Sequence, residues 1–103
     1  MERFWLKNYP AGVPADVDVS QYSSLVQLMD ESFAKFASRD AYAFMDRHYT
    51  FADIDRHSAA LGVWLQQRGL APGARVAIMM PNVIQYPIAV AAILRAGCVV
   101  VNV

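Results

Sequence analysis

Apolar positions along the chain change period several times, and each change predicts an element. Residues 1–22 carry no sustained period and are punctuated by Pro10, Gly12 and Pro14, which predicts an extended arm. Trp5, Tyr9 and Tyr22 are apolar anchors within it. They are expected to dock the arm on a core, the alternative being contact with a second subunit. Leu25, Leu28, Met29, Phe33 and Phe36 then recur at helical spacing and predict a helix over 25–37. Ser24 and Gln27 fit a capping box, in which the hydroxyl takes an orphan backbone N–H and the amide reaches back. "AYAFMDRHYTF" reads as a short hairpin, with Tyr42, Phe44 and Tyr49 suited to strands and Asp46-Arg47 to the turn. Thr50 and Asp53 form a second capping box. It opens the helix "FADIDRHSAALGVWLQQRG", with Ile54, Leu61 and Leu65 on the core side. Asp53 and Asp55 sit near the positive end of that helix, Arg68 lies in its last turn, and Gly69 stops it.

The last third is the most apolar. "RVAIMM" is an almost unbroken apolar run, as in a strand buried on both faces, and Pro81-Asn82 closes it. A helix follows to about Arg95, with Gly97 as its cap. Pro87 falls either in its first turn or after a separate turn over 83–86. "CVVVNV" is a second buried strand. Strand, helix and strand form a βαβ unit, whose strands are parallel and neighbours or nearly so, joined by a right-handed crossover. Parallel sheets carry helices on both faces and rarely have so few strands, so the chain is expected to supply the start of a sheet and not its completion. The expected core is Tyr42, Phe44, Ile54, Leu61, Leu65, Val76, Ile78, Ile93, Leu94, Val99 and Val101.

Composition sharpens this picture. A chain of 103 residues forms one domain and buries roughly two thirds of its unfolded surface. Hydrophobic residues make up 56% and charged residues 17%, against a usual ~45–50% and ~25%. A small free-standing domain has a high surface-to-volume ratio and is expected to be more polar, so part of this surface is expected to be covered. Nine basic and nine acidic residues balance, which gives no steering toward nucleic acid or an anionic membrane. The single cysteine, Cys98, excludes an internal disulfide and a cysteine zinc site, and fits a reducing cytosol. "MERFWLKNYPAG" has no apolar core of a signal peptide. The longest clean apolar run near the C-terminus, Ile88 to Leu94, is far below the ~20 residues that span a bilayer.

Candidate chemistry is sparse. Asp53 and His57 stand four apart on one helical face, a spacing that suits a metal pair or a general base, and equally a surface ion pair. No second such pair exists, and two ligands make no site. His48 is expected at the surface of the hairpin. Cys98 among valines is expected to be a small apolar filler and not a nucleophile. The patterns G-x-G-x-x-G and G-x-x-x-x-G-K-[ST] are absent. The nearest approach to a site is "MMPNV", at the carboxyl end of a parallel strand, where open α/β sheets bind ligands. There Asn82 is expected to cap the following helix.

The segments "YPAGVP", "SSLVQLMDESFAKFASRDAYAF", "TFADID", "LQQRGLAPGARVAIMMPNVIQYPIAVAAILRAG" and "VVVNV" resemble, in order, the amino-terminal portion of bacterial long-chain fatty acid–CoA ligases. These belong to the acyl-adenylate-forming superfamily. The resemblance implies an α/β fold, incomplete alone, that forms the N-terminal piece of such an enzyme's large domain. It divides the chain into an N-terminal arm, 1–22, and a partial α/β domain of an AMP-binding enzyme, 23–103. The full-length family uses ATP, Mg2+ and coenzyme A on a fatty acid. Its phosphate loop, magnesium-contacting glutamate and adenylation lysine lie beyond Val103, so no catalytic, cofactor-binding or metal residue is carried over to this chain. No cofactor is expected to bind the chain alone, and its role is scaffolding without activity. The resemblance also implies an arm that helps form a homodimer. A cytoplasmic protein, with peripheral contact at the inner membrane through Trp5, Tyr9 and their neighbours and no nucleic-acid partner, is a further expectation. The alternatives are a piece of an adenylate-forming enzyme for shorter or aromatic acids or peptide-synthetase substrates, and a non-catalytic binding module acting through an exposed sheet edge.

Overall fold

The computed structural model describes residues 2–103. Their elements, in chain order, are a 3-10 helix (Phe4–Asn8), α1 (Leu25–Lys35), β1 (Asp40–Phe44), β2 (Arg47–Thr50), α2 (Phe51–Gln67), β3 (Arg75–Ile78), α3 (Gln85–Arg95) and β4 (Val99–Asn102). β1 and β2 form an antiparallel pair, and β3 and β4 a parallel pair. The arm is therefore not extended throughout, because its first residues wind into one short 3-10 stretch. Its backbone hydrogen bonds, such as Tyr9 N–H to Leu6 O and Val13 N–H to Pro10 O, stay within the arm. Trp5 and Tyr9 remain 39% and 41% exposed, so these two anchors are not docked on the core. Trp5 stacks edge-on with Phe4 at 5.3 Å instead.

The starts of α1 and α2 follow the capping chemistry closely. The Ser24 hydroxyl accepts the Gln27 N–H at 3.1 Å. The Gln27 side chain reaches one residue further back than expected and takes the Ser23 N–H at 2.8 Å. At α2 the box closes reciprocally between Thr50 and Asp53. Asp53 Oδ2 accepts the Thr50 N–H at 3.0 Å, while Thr50 Oγ1 accepts the Asp53 N–H at 3.2 Å. Gly69 and Gly97, at φ +76 each, end α2 and α3 in the left-handed conformation that glycine adopts without steric cost.

The hairpin turns one residue earlier than its composition suggests. Phe44 pairs with Arg47, so the two-residue loop is Met45-Asp46, both at positive φ (50 and 59). That is the twist-compatible turn of a tight hairpin, carried here by residues that adopt it with strain. A bulge at Ala41 separates the Asp40–Thr50 and Tyr42–Tyr49 pairs. It turns Ala41 toward the core and leaves Tyr42 46% exposed, against the expectation that Tyr42 is buried.

β3 and β4 run parallel with Val76 opposite Val100 and Ile78 opposite Asn102, as the βαβ reading requires. β3 ends at Ile78, and Met79 beyond it is exposed. Pro87 occupies the third position of α3, in the first turn, where its missing N–H has no intrahelical partner to lose. Among these residues helix packing reaches only one face of the pair. Val76, Ile78 and Val100 pack into the cluster around Ile93, whereas Ala77 is exposed and Val99 is 45% exposed. Burial of both faces is therefore not what these residues achieve.

Two core clusters meet on α3. One gathers Leu65, Ile78, Ala89, Ala92, Ile93 and Cys98, and the other Phe33, Ile54, Ile84 and Ala91. Of the expected core, Ile54, Leu65, Ile78 and Ile93 are buried. Phe44, Leu61, Val76, Leu94 and Val101 are half-buried. Small residues take the remaining places because α2 crosses α3 at close range. A Cβ on Gly62 would stand 3.3 Å from the Ala92 carbonyl oxygen. Ser58, one turn earlier, is fully buried.

Replacing Gly62 by leucine is expected to lower stability by about 1–3 kcal/mol, because the side chain must push the helices apart. A denaturant titration checks this. In the hairpin, Met45→Asn with Asp46→Gly is expected to raise the melting temperature, gaining roughly 0.5–1 kcal/mol by relieving positive-φ strain.

Candidate functional site

Polar groups converge at the carboxyl ends of the parallel strands. Asn102 closes β4, directly opposite Ile78 at the end of β3. Its Oδ1 accepts a hydrogen bond from the Tyr86 hydroxyl, at 2.6 Å, from the first turn of α3. Asn82 lies on the exposed segment between β3 and α3. It does not cap that helix, whose N-cap is Ile84 with no side-chain hydrogen bond. Instead, Asn82 lines a cavity of about 240 Å³ together with Tyr86, Pro87, Ile84, Phe44 and Tyr42. The hairpin thus forms one wall and the β3–α3 connection the other.

The remaining candidates do not join this place. Asp53 is committed to the Thr50 cap and to Arg56, whose Nη2 donates to Oδ1 at 3.0 Å, and not to His57. The Thr50 N–H and hydroxyl, then Arg56, hold the Asp53 carboxyl below its ordinary value of 3.8. His57 is exposed. His48 pairs with Asp40 across the hairpin at 2.8 Å, both side chains mostly exposed. Cys98 is buried in the core, as a filler would be. Among the described residues no group of three His, Cys, Asp or Glu side chains is placed to hold a metal ion.

Two features escaped sequence reasoning. Tyr86 and Asn102 stand sixteen residues apart, and the one signal was an asparagine ending a valine run. Arg95 gave no signal at all, since its carboxylate partner Asp30 lies 65 residues away.

The parallel pair and its helical crossover form a βαβ unit, and Asn102 and Tyr86 meet at its carboxyl edge, the edge at which open α/β sheets bind ligands. The chain belongs to the AMP-binding enzyme family, whose profile matches residues 29–103. It is 47% identical over its whole length to a long-chain-fatty-acid–CoA ligase of Yersinia pestis, and 45% to that of Escherichia coli O157:H7. A ligase of the same description from Bacillus subtilis is 35% identical over 95% of the chain. The chain spans about 18% of the length of the first two relatives and 17% of the third. Among solved structures, Klebsiella oxytoca NpsA in complex with 3-hydroxyanthranilyl-AMSN superposes with a TM-score of 0.77 and 29% identity, over 81% of this chain and 17% of that one. The fatty acyl-adenylate ligase of L. pneumophila shares the fold, with a TM-score of 0.73 and 22% identity over 85% of this chain and 17% of that one.

Tyr86→Phe is expected to cost about 0.5–1.5 kcal/mol through the lost bond to Asn102, read by thermal melting. Because the folded state holds the Asp53 carboxyl below its ordinary value, the carboxylate contributes stability above that value and loses it as pH falls through the depressed one. The difference in melting temperature between wild type and Asp53→Asn is therefore expected to be present at neutral pH and to vanish in strong acid.

Proposed function

We propose that this chain is the scaffolding part of a long-chain fatty acid–CoA ligase. In the complete enzyme a fatty carboxylate attacks the α-phosphate of ATP, and pyrophosphate leaves. The thiol of coenzyme A then displaces AMP from the acyl-adenylate. The observation that carries the reading is 47% identity across all of this chain to a ligase of that description. The structural likeness to NpsA alone would equally support an aromatic acid, but that identity is only 29%.

Residues 23–103 contribute helices and the first parallel strands to the large domain, and residues 1–22 form an arm in front of it. Among the described residues no group of carboxylates of the kind that holds a magnesium ion is assembled, so no step is assigned to that ion here. Their part is to hold the carboxyl edge of β3 and β4 in place. Among the described residues no helix is long and apolar enough to cross a membrane. The reading further takes the complete enzyme to be cytoplasmic, touching the inner membrane only peripherally. The exposed side chains of Phe4, Trp5 and Tyr9 support an arm that pairs with a second copy.

Fatty-acid-dependent ATP–pyrophosphate exchange tests the reading. Residues 1–103 alone are expected to give none, and the full-length reading frame to give exchange with long-chain acids. Exchange driven by aromatic acids but not by fatty acids would replace the substrate class. No exchange from the full frame with any acid would remove the ligase reading.

A further inference from the structure

Helix α1 is fastened to the α2–α3 body by polar bonds at two places, with Phe33 and Met29 packed against the body between them. At its carboxyl end, backbone bonds from Phe51 N–H to Arg39 O and from Ala52 N–H to Ala37 O, each 3.0 Å, tie the following turn to the start of α2. Further up the helix, Arg95 at the end of α3 reaches Asp30. Its Nε and Nη2 donate to Asp30 Oδ1 at 3.1 and 2.7 Å. The same guanidinium is held from the body side. Nη1 donates to the Asp55 carbonyl at 3.0 Å and to Ser58 Oγ at 2.8 Å, and Nη2 donates to the Asp55 carboxylate. It also lies over the Phe33 ring, 5.0 Å from the centroid. Among the described residues, no other side-chain hydrogen bond joins α1 to α2 or α3. Phe33 is the single buried residue of α1. Alongside the helix lies an apolar groove of about 410 Å³, lined by Leu28 and Phe33 of α1, Tyr42 of β1, Ile54 of α2, and Tyr86 and Ala91 of α3. The arm that precedes α1 hydrogen-bonds only within itself and so adds no hydrogen bond to hold the amino end down.

We propose that α1 and the arm open from the body as one local unit, hinged at residues 36–39, with the Arg95–Asp30 pair as the clasp. A segment with few buried apolar contacts and one strong polar fastening opens well below the free energy of global unfolding. Asp55 and Ser58 hold Arg95 in position when Asp30 departs, so the clasp re-forms without reordering the arginine. Opening widens the groove and uncovers the α3 face at Ala91 against which Phe33 packs. The inference stands on the geometry of this chain and does not require the ligase reading.

Hydrogen–deuterium exchange of the full chain, wild type and Asp30→Asn, tests it. In wild type, the α1 amides are expected to exchange faster than those of α3 and β3. Asp30→Asn is expected to accelerate the α1 amides roughly tenfold, the effect of losing a charge-assisted bond, while α3, β3 and β4 are unchanged. Equal exchange of α1 and α3 in wild type would overturn the proposal, and this holds even if the variant fails to fold. Acceleration of every element together, or none in α1, would overturn it as well.

Discussion

The crossing of α2 over α3 is the contact on which the rest of this structure depends. α3 carries alanines at 89, 91 and 92, and α2 offers Gly62 and Ser58 against them. With no side chain at Gly62, the backbones come close enough that a single methyl would press on the Ala92 carbonyl. That closeness sets where β3 and β4 lie, since both pack on α3 through Ile78, Val76 and Val100. It also places the amino half of α2, and with it the hairpin, beside the second cluster around Phe33 and Ile54. Close-packed interiors respond to single methylenes, and small residues at a helix crossing are the most sensitive case.

Arg95 complements that apolar contact with a polar one. Burial works against its charge, but hydrogen bonds and charge from Asp55 and Asp30 outweigh burial, so the guanidinium pKa rises above its ordinary value. The planar fork suits this role, because five donors in fixed directions satisfy a carbonyl, a hydroxyl and two carboxylates together. Ser58, which one would expect to be costly when fully buried, is satisfied by the same arginine and by the Asp55 carbonyl. Three helices distant in sequence thus share one polar node.

The parallel pair keeps one face outward. Val99 and Val103 stay exposed here, and Asn102 and Tyr86 meet at the edge where α/β sheets place ligands. A composition richer in apolar residues than a small domain needs is consistent with that uncovered face. The curated ligases that the chain resembles are more than five times as long as this chain.

Local chemistry was legible in the sequence by itself. The caps of α1 and α2, the stops at Gly69 and Gly97, and the hairpin follow from patterns spanning only a few residues, while the parallel βαβ order and the resemblance to the ligases follow from the succession of segments along the chain. The bulge at Ala41, the Met45-Asp46 turn, the burial of alanines in place of Tyr42 and Val99, and the Arg95 node were decided by tertiary structure. Each depends on which surfaces meet across tens of residues. Periodicity reports which face of an element is apolar, but the distance between two elements is set by the smallest side chains at their crossing. No single segment states where that crossing falls.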